Sequence, residues 1–295
     1  RVITAMITPF TEDGAVDYES AVALAKHLVA HGSEGLLVGG TTGEGATMTA
    51  EEKLKLYTLI VDAVGKRGEG KKVPVMGNIG TISTADTIAF GNKAKETGID
   101  CALVIVPFYV KPNQEGMYQH FTAVAKGVDL PLVLYNVPGR TGVSIQPETI
   151  KRIVDECPNV VGIKDATGSW DQVTKEKALL PEDFMIYSGD DAFTLPVLLA
   201  GGVGIISVSA HVIGDDMLAM VNAFEKGDLE KARELHLKMY EINKGMFFTA
   251  SPTPVKTATN LVGQPGGHFR LPMVEPTEAE KAKVRQMLEN YGGLL

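Results

Sequence analysis

Eight short apolar runs alternate with amphipathic segments along the chain, and this alternation constrains the fold more than any other feature. The runs are almost continuously apolar, as expected for parallel strands that are covered on both faces. They lie at residues 3–8, 35–39, 73–77, 101–106, 132–135, 160–163, 184–187 and 203–208. Repeated strand–helix units predict a parallel sheet, and eight of them without a reversal predict a closed (β/α)8 TIM barrel of the α/β class.

A helical pattern follows each run, at residues 17–31, 51–64, 84–95, 115–126, 147–154, 170–179, 191–199 and 216–224. Thr49 and Ser83 stand where helix N-caps are expected. After the eighth unit the strand pattern ends, and further helices are predicted at residues 229–246, 254–262 and 277–291. We therefore expect a barrel catalytic domain over residues 1–225 and a C-terminal α-helical domain over residues 226–295.

Composition and charge argue against several classes of function. The chain has 295 residues and a formal net charge of −8, and this acidic balance disfavours nucleic-acid and membrane-surface partners. No apolar stretch approaches the roughly 18 residues of a membrane helix, and the first residues show no signal-peptide pattern. The two cysteines, Cys101 and Cys157, lie far apart in sequence and lack the spacing of a metal site. A disulfide-stapled secreted protein is therefore disfavoured, and a cytoplasmic location is expected.

Lys164 is the first candidate for a catalytic residue. In barrels of this kind the active site lies at the carboxyl ends of the strands, and Lys164 closes the otherwise apolar sixth run. Burial would lower the pKa of its side chain and leave a neutral amine, which is what attack on a ketone requires. The alternative is an inward-pointing lysine that is held in a structural ion pair.

Two other strand ends carry groups that suit an oxo acid. The second run leads into Gly39-Gly40-Thr41-Thr42-Gly43-Glu44-Gly45, whose backbone N–H groups and hydroxyls suit a carboxylate or carbonyl oxygen. A tight turn with no ligand is an equally good interpretation of that segment. At the end of the fifth strand, Tyr135 can exchange protons and Arg140 can bind a carboxylate. A tyrosine at the edge of the core and a solvated arginine are the alternatives.

The loop after the fourth run contains two adjacent aromatic residues, Phe108 and Tyr109. They indicate a contact surface, either a substrate lid or a subunit interface, with an ordinary loop as the alternative. No metal site is predicted. His27 and His31 lack the glutamate of a zinc-binding H-E-x-x-H motif, and Asp190-Asp191 suits a helix cap better than Mg²⁺.

Taken together, these motifs resemble the dihydrodipicolinate synthase family of pyruvate-dependent Schiff-base lyases, a superfamily that also contains N-acetylneuraminate lyase. The resemblance extends over nearly the whole chain. It rests on Thr41-Thr42-Gly43-Glu44, on Tyr135-Asn136-Val137-Pro138 with Arg140-Thr141-Gly142, and on Gly162-Ile163-Lys164-Asp165-Ala166-Thr167-Gly168. It implies condensation of pyruvate with L-aspartate 4-semialdehyde in lysine biosynthesis. It implies no cofactor, because the protonated imine is itself the electron sink.

The resemblance also implies roles for four catalytic residues. Lys164 would form the imine with pyruvate, and Tyr135 would shuttle protons during imine and enamine formation. Thr41 would relay protons between Tyr135 and Tyr109. In the family this last tyrosine comes from the partner subunit across a tight dimer interface, so a homo-oligomer built as a dimer of dimers is expected.

Four further residues would bind the substrates. Thr42 would hold the pyruvate carboxylate, Arg140 would grip the carboxylate of the second substrate, and Gly189 and the backbone of Ile206 would line the pocket. Two other activities stay open: cleavage of a 2-keto-3-deoxy sugar acid, by enzymes that share Thr-Thr-Gly-Glu, or of a sialic acid. A non-catalytic metabolite-sensing barrel is a third hypothesis, although a sensor has no need of a proton relay.

We predict weak or absent feedback inhibition by L-lysine. Lysine-inhibited bacterial members of the family carry a polar and aromatic cluster between subunits, whereas the matching positions here are Ala50, Lys53, Ile82 and Phe108. Initial rates measured against L-lysine concentration check this expectation. Half-inhibition below a millimolar would refute it.

Overall fold

The barrel is closed by eight parallel strands that follow one another in chain order. The computed structural model describes residues 1–66, 68 and 70–295. The strands are β1 (Val2–Ala5), β2 (Gly35–Val38), β3 (Val75–Asn78), β4 (Cys101–Ile105), β5 (Leu132–Asn136), β6 (Val160–Asp165), β7 (Met185–Ser188) and β8 (Gly204–Ser207). The predicted (β/α)8 barrel is therefore confirmed, and each apolar run contains one strand or most of one.

Helices separate the strands and continue after the last one. They are α1 (Tyr18–Ala30), α2 (Ala50–Val64), α3 (Thr84–Glu96), α4 (Gln114–Gly127), α5 (Pro138–Thr141), α6 (Pro147–Glu156), α7 (Trp170–Leu179), α8 (Thr194–Leu199), α9 (Ala210–Glu225), α10 (Leu229–Gly245), α11 (Thr253–Leu261) and α12 (Glu278–Tyr291). Short 3-10 turns precede α2 and α8. Thr49 forms the predicted cap of α2, and the Ser83 side chain accepts a hydrogen bond from Asp86 N–H at the start of α3.

Two elements differ from the sequence prediction. The helix expected at residues 216–224 begins earlier, at Ala210, because non-helical backbone at Ile213 joins a first turn to the main part of α9. The other is α5, which lies in a segment expected to be loop. Pro138 occupies its first turn, where the missing N–H of proline removes no hydrogen bond, and Gly142 ends it with a φ of 73°.

The chain divides into two compact units, which are described separately. The first unit comprises residues 1–75 and 207–295, and the second comprises residues 76–206. In the first unit, α9 packs against β1, α10 and α11, so the C-terminal helices and the first strands belong to one packed body. The expected boundary between residues 225 and 226 divides the chain differently and stays a prediction.

The second unit sets the register of the strands that carry most of the candidate residues. Tyr135 on β5 lies opposite Lys164 on β6, and Lys164 lies opposite Tyr187 on β7. Neighbouring apolar residues such as Leu134 and Ile163 are fully buried. Each such aliphatic side chain contributes about 1.5–3 kcal/mol of transfer free energy, so apolar burial fixes the register.

A buried ion pair ties α11 to the loop after β2 in the first unit. Lys256 is fully buried, and its Nζ lies 2.6 Å from Glu44 Oε1 and 2.6 Å from the carbonyl oxygen of His268. The ammonium also lies 4.6 Å from the ring centroid of Phe10 and 5.0 Å from that of Phe269. Burial lowers the pKa of Lys256 and the Glu44 carboxylate opposes this effect. The pair therefore satisfies two charged groups that would otherwise be costly to bury.

Arg270 extends this link to α2. Its backbone N–H donates to Glu44 Oε2 at 3.3 Å, and its guanidinium donates to both carboxylate oxygens of Glu52 at 2.7 and 2.8 Å. The same guanidinium donates to the carbonyl oxygens of Gly14 and Thr47. Residues far apart in sequence are thereby held together around the loop that contains Glu44.

We predict that Lys256→Met lowers the free energy of unfolding by about 3–5 kcal/mol, because it leaves the Glu44 carboxylate buried without its partner. The double variant Glu44→Gln with Lys256→Met should regain most of this loss. Urea unfolding at one protein concentration measures both. Lys281→Met, which removes an ammonium from an exposed pair with Glu278, is the control and should change little. A Lys256→Met variant as stable as that control would contradict the prediction.

Candidate functional site

The side chain of Lys164 is buried near the carboxyl end of β6, with 4% of its surface exposed. Burial lowers its pKa to about 8, while the charge of Asp191 opposes this shift and that of Arg140 adds to it. Burial is the largest of the three influences. The attraction to Asp191 is the kind of interaction expected of a structural ion pair, but it raises the pKa of Lys164 less than burial lowers it. A pKa lowered from 10.5 to about 8 raises the neutral-amine fraction near pH 7 by roughly two orders of magnitude.

The ring of Tyr135 lies next to this amine. It is buried on β5, and Lys164 Nζ lies 4.5 Å from the centroid of its ring. Both residues lie at the carboxyl ends of neighbouring strands, where the sequence placed them. Arg140 follows in α5 and is exposed, yet its charge acts on Lys164. The second unit thus combines a buried amine of lowered pKa, a phenol and a guanidinium.

Gly189 directly follows β7, and Ile206 lies in β8. The N–H of Gly189 donates to the carbonyl oxygen of Asp165 at 2.6 Å. A Cβ at Gly189 would lie 2.7 Å from Cβ of Ala166, which explains why glycine is required so close to β6. Ile206 is fully buried in β8. Their assignment to a substrate pocket stays a prediction.

Tyr109 does not join the buried cluster. It is 86% exposed, in a loop where its own φ of 65° lies in the left-handed region. The next residue, Val110, is also exposed. The loop therefore presents apolar surface to solvent. The expected contribution of Tyr109 to a partner's site stays a prediction.

Thr41 and Thr42 lie in the first unit, in a tight turn after β2. Gly39 has a φ of 67°, and a Cβ at Gly45 would lie 1.9 Å from the Gly39 carbonyl oxygen. The N–H of Glu44 donates to the Thr41 carbonyl oxygen at 3.1 Å, while Thr42 is buried and Thr41 is half-buried. The segment therefore forms a tight turn, a geometry that both interpretations of its sequence share. The predicted roles of the two threonines remain untested.

Sequence reasoning missed three charged residues that act on these motifs. Asp190 caps the 3-10 turn before α8, as predicted for the aspartate pair, but Asp191 is fully buried and its charge reaches Lys164. Lys256, the partner of Glu44, and Glu176 on α7 were not singled out. Lys256 lies within an otherwise buried helical stretch, which was the available indication because lysines are rarely buried without a partner. Glu176 lies on a mostly exposed helix, so no local pattern indicated its burial.

Two features are absent from the part of the chain that the structure describes: a metal-binding cluster and a membrane-spanning helix. Over those residues, no group of three or more His, Cys, Asp or Glu side chains is arranged to hold a metal ion. Over the same residues, no helix has the length and apolar character of a membrane-spanning segment.

Comparison with known proteins gives full-length matches. The family model described as the dihydrodipicolinate synthetase family matches residues 1–291. A relative from Heliobacterium modesticaldum, named 4-hydroxy-tetrahydrodipicolinate synthase, is 48% identical over 292 residues, which cover 99% of this chain and 95% of the relative.

Solved structures of relatives also superpose over nearly the whole chain. The dihydrodipicolinate synthase of Cyanidioschyzon merolae with lysine bound superposes with a TM-score of 0.96 at 40% identity, covering 100% of this chain and 98% of that one. The chloride-inhibited enzyme of Acinetobacter baumannii complexed with pyruvate has a TM-score of 0.93 at 35% identity, with coverages of 99% and 98%.

We predict that kcat/KM for a ketone substrate rises about tenfold per pH unit below pH 8 and levels off above it, because only the neutral amine of Lys164 attacks. Asp191→Asn removes an attractive charge and should move the midpoint to lower pH. Arg140→Gln removes a repulsive charge and should move it to higher pH. Asp171→Asn, at an exposed pair with Lys175, should leave it unchanged. Shifts in the same direction for the first two variants would contradict this electrostatic account.

Proposed function

Because this chain belongs to the dihydrodipicolinate synthetase family, we propose that it condenses pyruvate with L-aspartate 4-semialdehyde to give 4-hydroxy-tetrahydrodipicolinate. The observation that carries the proposal is the buried amine of Lys164, whose pKa is lowered to about 8 and which lies against Tyr135. The A. baumannii structure, which is complexed with pyruvate, supports the choice of the ketone.

Lys164 acts as the nucleophile. Its neutral amine adds to the C2 carbonyl of pyruvate, and loss of water from the adduct leaves a protonated imine. The positive nitrogen then accepts the electron pair released when a methyl proton leaves, which gives an enamine. The enamine carbon forms the new bond to the aldehyde carbon of the second substrate, whose oxygen takes up a proton. The amino group of that substrate then adds to the imine carbon, and expulsion of the Lys164 amine closes the ring and frees the enzyme. Tyr135, next to the amine, supplies the proton for the departing hydroxyl and takes protons back in later steps.

The remaining residues bind the substrates and relay protons. Thr42 binds the pyruvate carboxylate with its hydroxyl and backbone N–H, and Arg140 binds the carboxylate of the aldehyde substrate with its planar fork of donors. Gly189 and the backbone of Ile206 line the pocket. Thr41 relays protons between Tyr135 and Tyr109. No cofactor is required, because the imine nitrogen accepts the electrons.

A homo-oligomer completes the site in this proposal. The exposed side chains of Tyr109, Val110 and Ile82 form apolar surface on the second unit, as expected of an interface. Tyr109 enters the partner's site across the tight interface of a dimer, and two dimers form the tetramer. A cytoplasmic location belongs to the same proposal and is supported by two free cysteines, Cys101 and Cys157.

We propose that lysine inhibits this chain more weakly than it inhibits some relatives. The C. merolae structure has lysine bound. The residues expected at the matching positions here, Ala50, Lys53, Ile82 and Phe108, supply few of the polar groups that an amino acid would need.

Steady-state assays test the activity directly. Purified enzyme should consume pyruvate only when L-aspartate 4-semialdehyde is present, and it should release little pyruvate from a 2-keto-3-deoxy sugar acid or from N-acetylneuraminate. Lys164→Arg should lower the condensation rate by at least about a thousandfold, because a guanidinium stays protonated and cannot form the imine. Faster release of pyruvate from either sugar acid would replace the proposed activity with an aldolase.

We predict that two inactive variants restore activity when mixed. Tyr109→Phe and Lys164→Arg should each be impaired alone. After subunit exchange, random pairing gives mixed dimers in half of the cases, and each mixed dimer has one complete site out of two. The mixture should therefore regain about a quarter of the wild-type rate. If mixing restores nothing while mass spectrometry shows that subunits have exchanged, Tyr109 does not act across the interface.

A further inference from the structure

Two carboxyl groups meet in the buried layer between β6 and α7. Asp165 on β6 and Glu176 on α7 are almost fully buried, with 1% and 0% of their surfaces exposed, and their side chains are hydrogen-bonded to each other. Oδ2 of Asp165 and Oε2 of Glu176 receive no hydrogen bond from any other group in the described chain. Two acceptor oxygens can form a hydrogen bond only if one carboxyl carries a proton.

The surrounding donors indicate which carboxyl holds that proton. Asp165 Oδ1 accepts hydrogen bonds from the Thr167 N–H at 3.0 Å and from the Thr167 hydroxyl at 2.6 Å. Glu176 Oε1 accepts one, from Gln172 Nε2 at 2.8 Å. Asp165 is therefore better stabilised as the anion. Burial and the charge of Asp165 raise the pKa of Glu176 to about 9, which agrees with a proton on Glu176.

Asp165 connects the pair to the reactive amine. It directly follows Lys164 in β6, so the two side chains project from opposite faces of the strand. Its carboxylate fixes the turn at Thr167, and its carbonyl oxygen accepts the Gly189 N–H. Any movement of Asp165 would therefore displace the strand end that carries Lys164.

We propose that Glu176 is a positioning residue for Lys164: its protonated carboxyl donates a hydrogen bond to Asp165 and thereby fixes the end of β6. The catalytic consequence rests on the function proposed above. At high pH, loss of the proton would leave two buried carboxylates in contact, and their repulsion would loosen the strand end.

Few charged groups face this pair. Among the residues that the structure describes, Asp165 is the charged group whose field acts on Glu176. Gln172 on the same helix, Thr167 in the turn and Asn136 on β5 are polar neighbours that do not titrate. A pH response of the pair can therefore be attributed to the shared proton.

The stability of Glu176→Gln tests the shared proton without any substrate. The glutamine amide donates to Asp165 as the acid does, but it does not titrate. In the wild type the folded state keeps a proton that the unfolded chain loses above its usual pKa of 4.5, so stability falls until pH passes about 9. The unfolding constant of the wild type, relative to the variant, should rise by up to about tenfold per pH unit in this window and level off above it. A ratio that does not change with pH overturns the proposal.

Activity tests the positioning role. Glu176→Gln should keep kcat within about twofold of the wild type near neutral pH, and it should lose less activity than the wild type above pH 9. Glu176→Leu removes the donor and should lower kcat for the condensation at least tenfold with a smaller change in KM. Val173→Ala, at a fully buried position on the same helix, is the matched control: it should lower the melting temperature and leave kcat unchanged.

The outcomes separate the two proposals. If the wild type does not condense the substrates, the proposed function fails, and the pH-dependent stability still decides whether the proton is shared. If the wild type is active but Glu176→Leu keeps its kcat, or Glu176→Gln loses as much as Glu176→Leu, the positioning role is wrong. Rescue by glutamine, with a kcat loss in the leucine variant that Val173→Ala does not reproduce, supports it.

Discussion

The burial of one amine dominates the chemistry of this barrel. A charged ammonium at the end of β6 would be costly to desolvate, and the protein responds by lowering the pKa of Lys164 to about 8. The closed sheet provides the apolar walls that cause this shift. The nearby charges of Asp191 and Arg140 then adjust it in opposite directions. The same burial that disfavours the charged lysine leaves part of it as the neutral amine at neutral pH, the form that the proposed chemistry requires.

Two of the three motifs contain a buried acid that holds the motif in place. In the first unit, Glu44 follows the two threonines and is fixed by Lys256 and by the Arg270 backbone. In the second unit, Asp165 follows Lys164 and meets Glu176. Both acids are buried, so removing a partner from either leaves a polar group unsatisfied. We infer that the geometry of these loops is determined as much by these acids as by the glycines that permit their turns.

Local patterns in the sequence were sufficient to predict the fold. Eight apolar runs predicted eight strands, and chemistry alone singled out Lys164 and Tyr135, which the register places side by side. The partner of Glu44 was not accessible in this way, because Lys256 lies 212 residues away and only the folded chain brings them together. The proton shared with Asp165 was missed for the same reason: it depends on which face of α7 packs against β6, and no local spacing specifies that.

Reduction with borohydride in the presence of pyruvate tests the central claim most directly. If Lys164 forms the imine, hydride converts it to a stable secondary amine. Peptide mass analysis should then find a three-carbon acid attached to that lysine alone, dependent on pyruvate and absent from a Lys164→Arg variant. A Lys164 that stays unmodified while the enzyme turns over, or a pyruvate adduct on another lysine, would contradict the account.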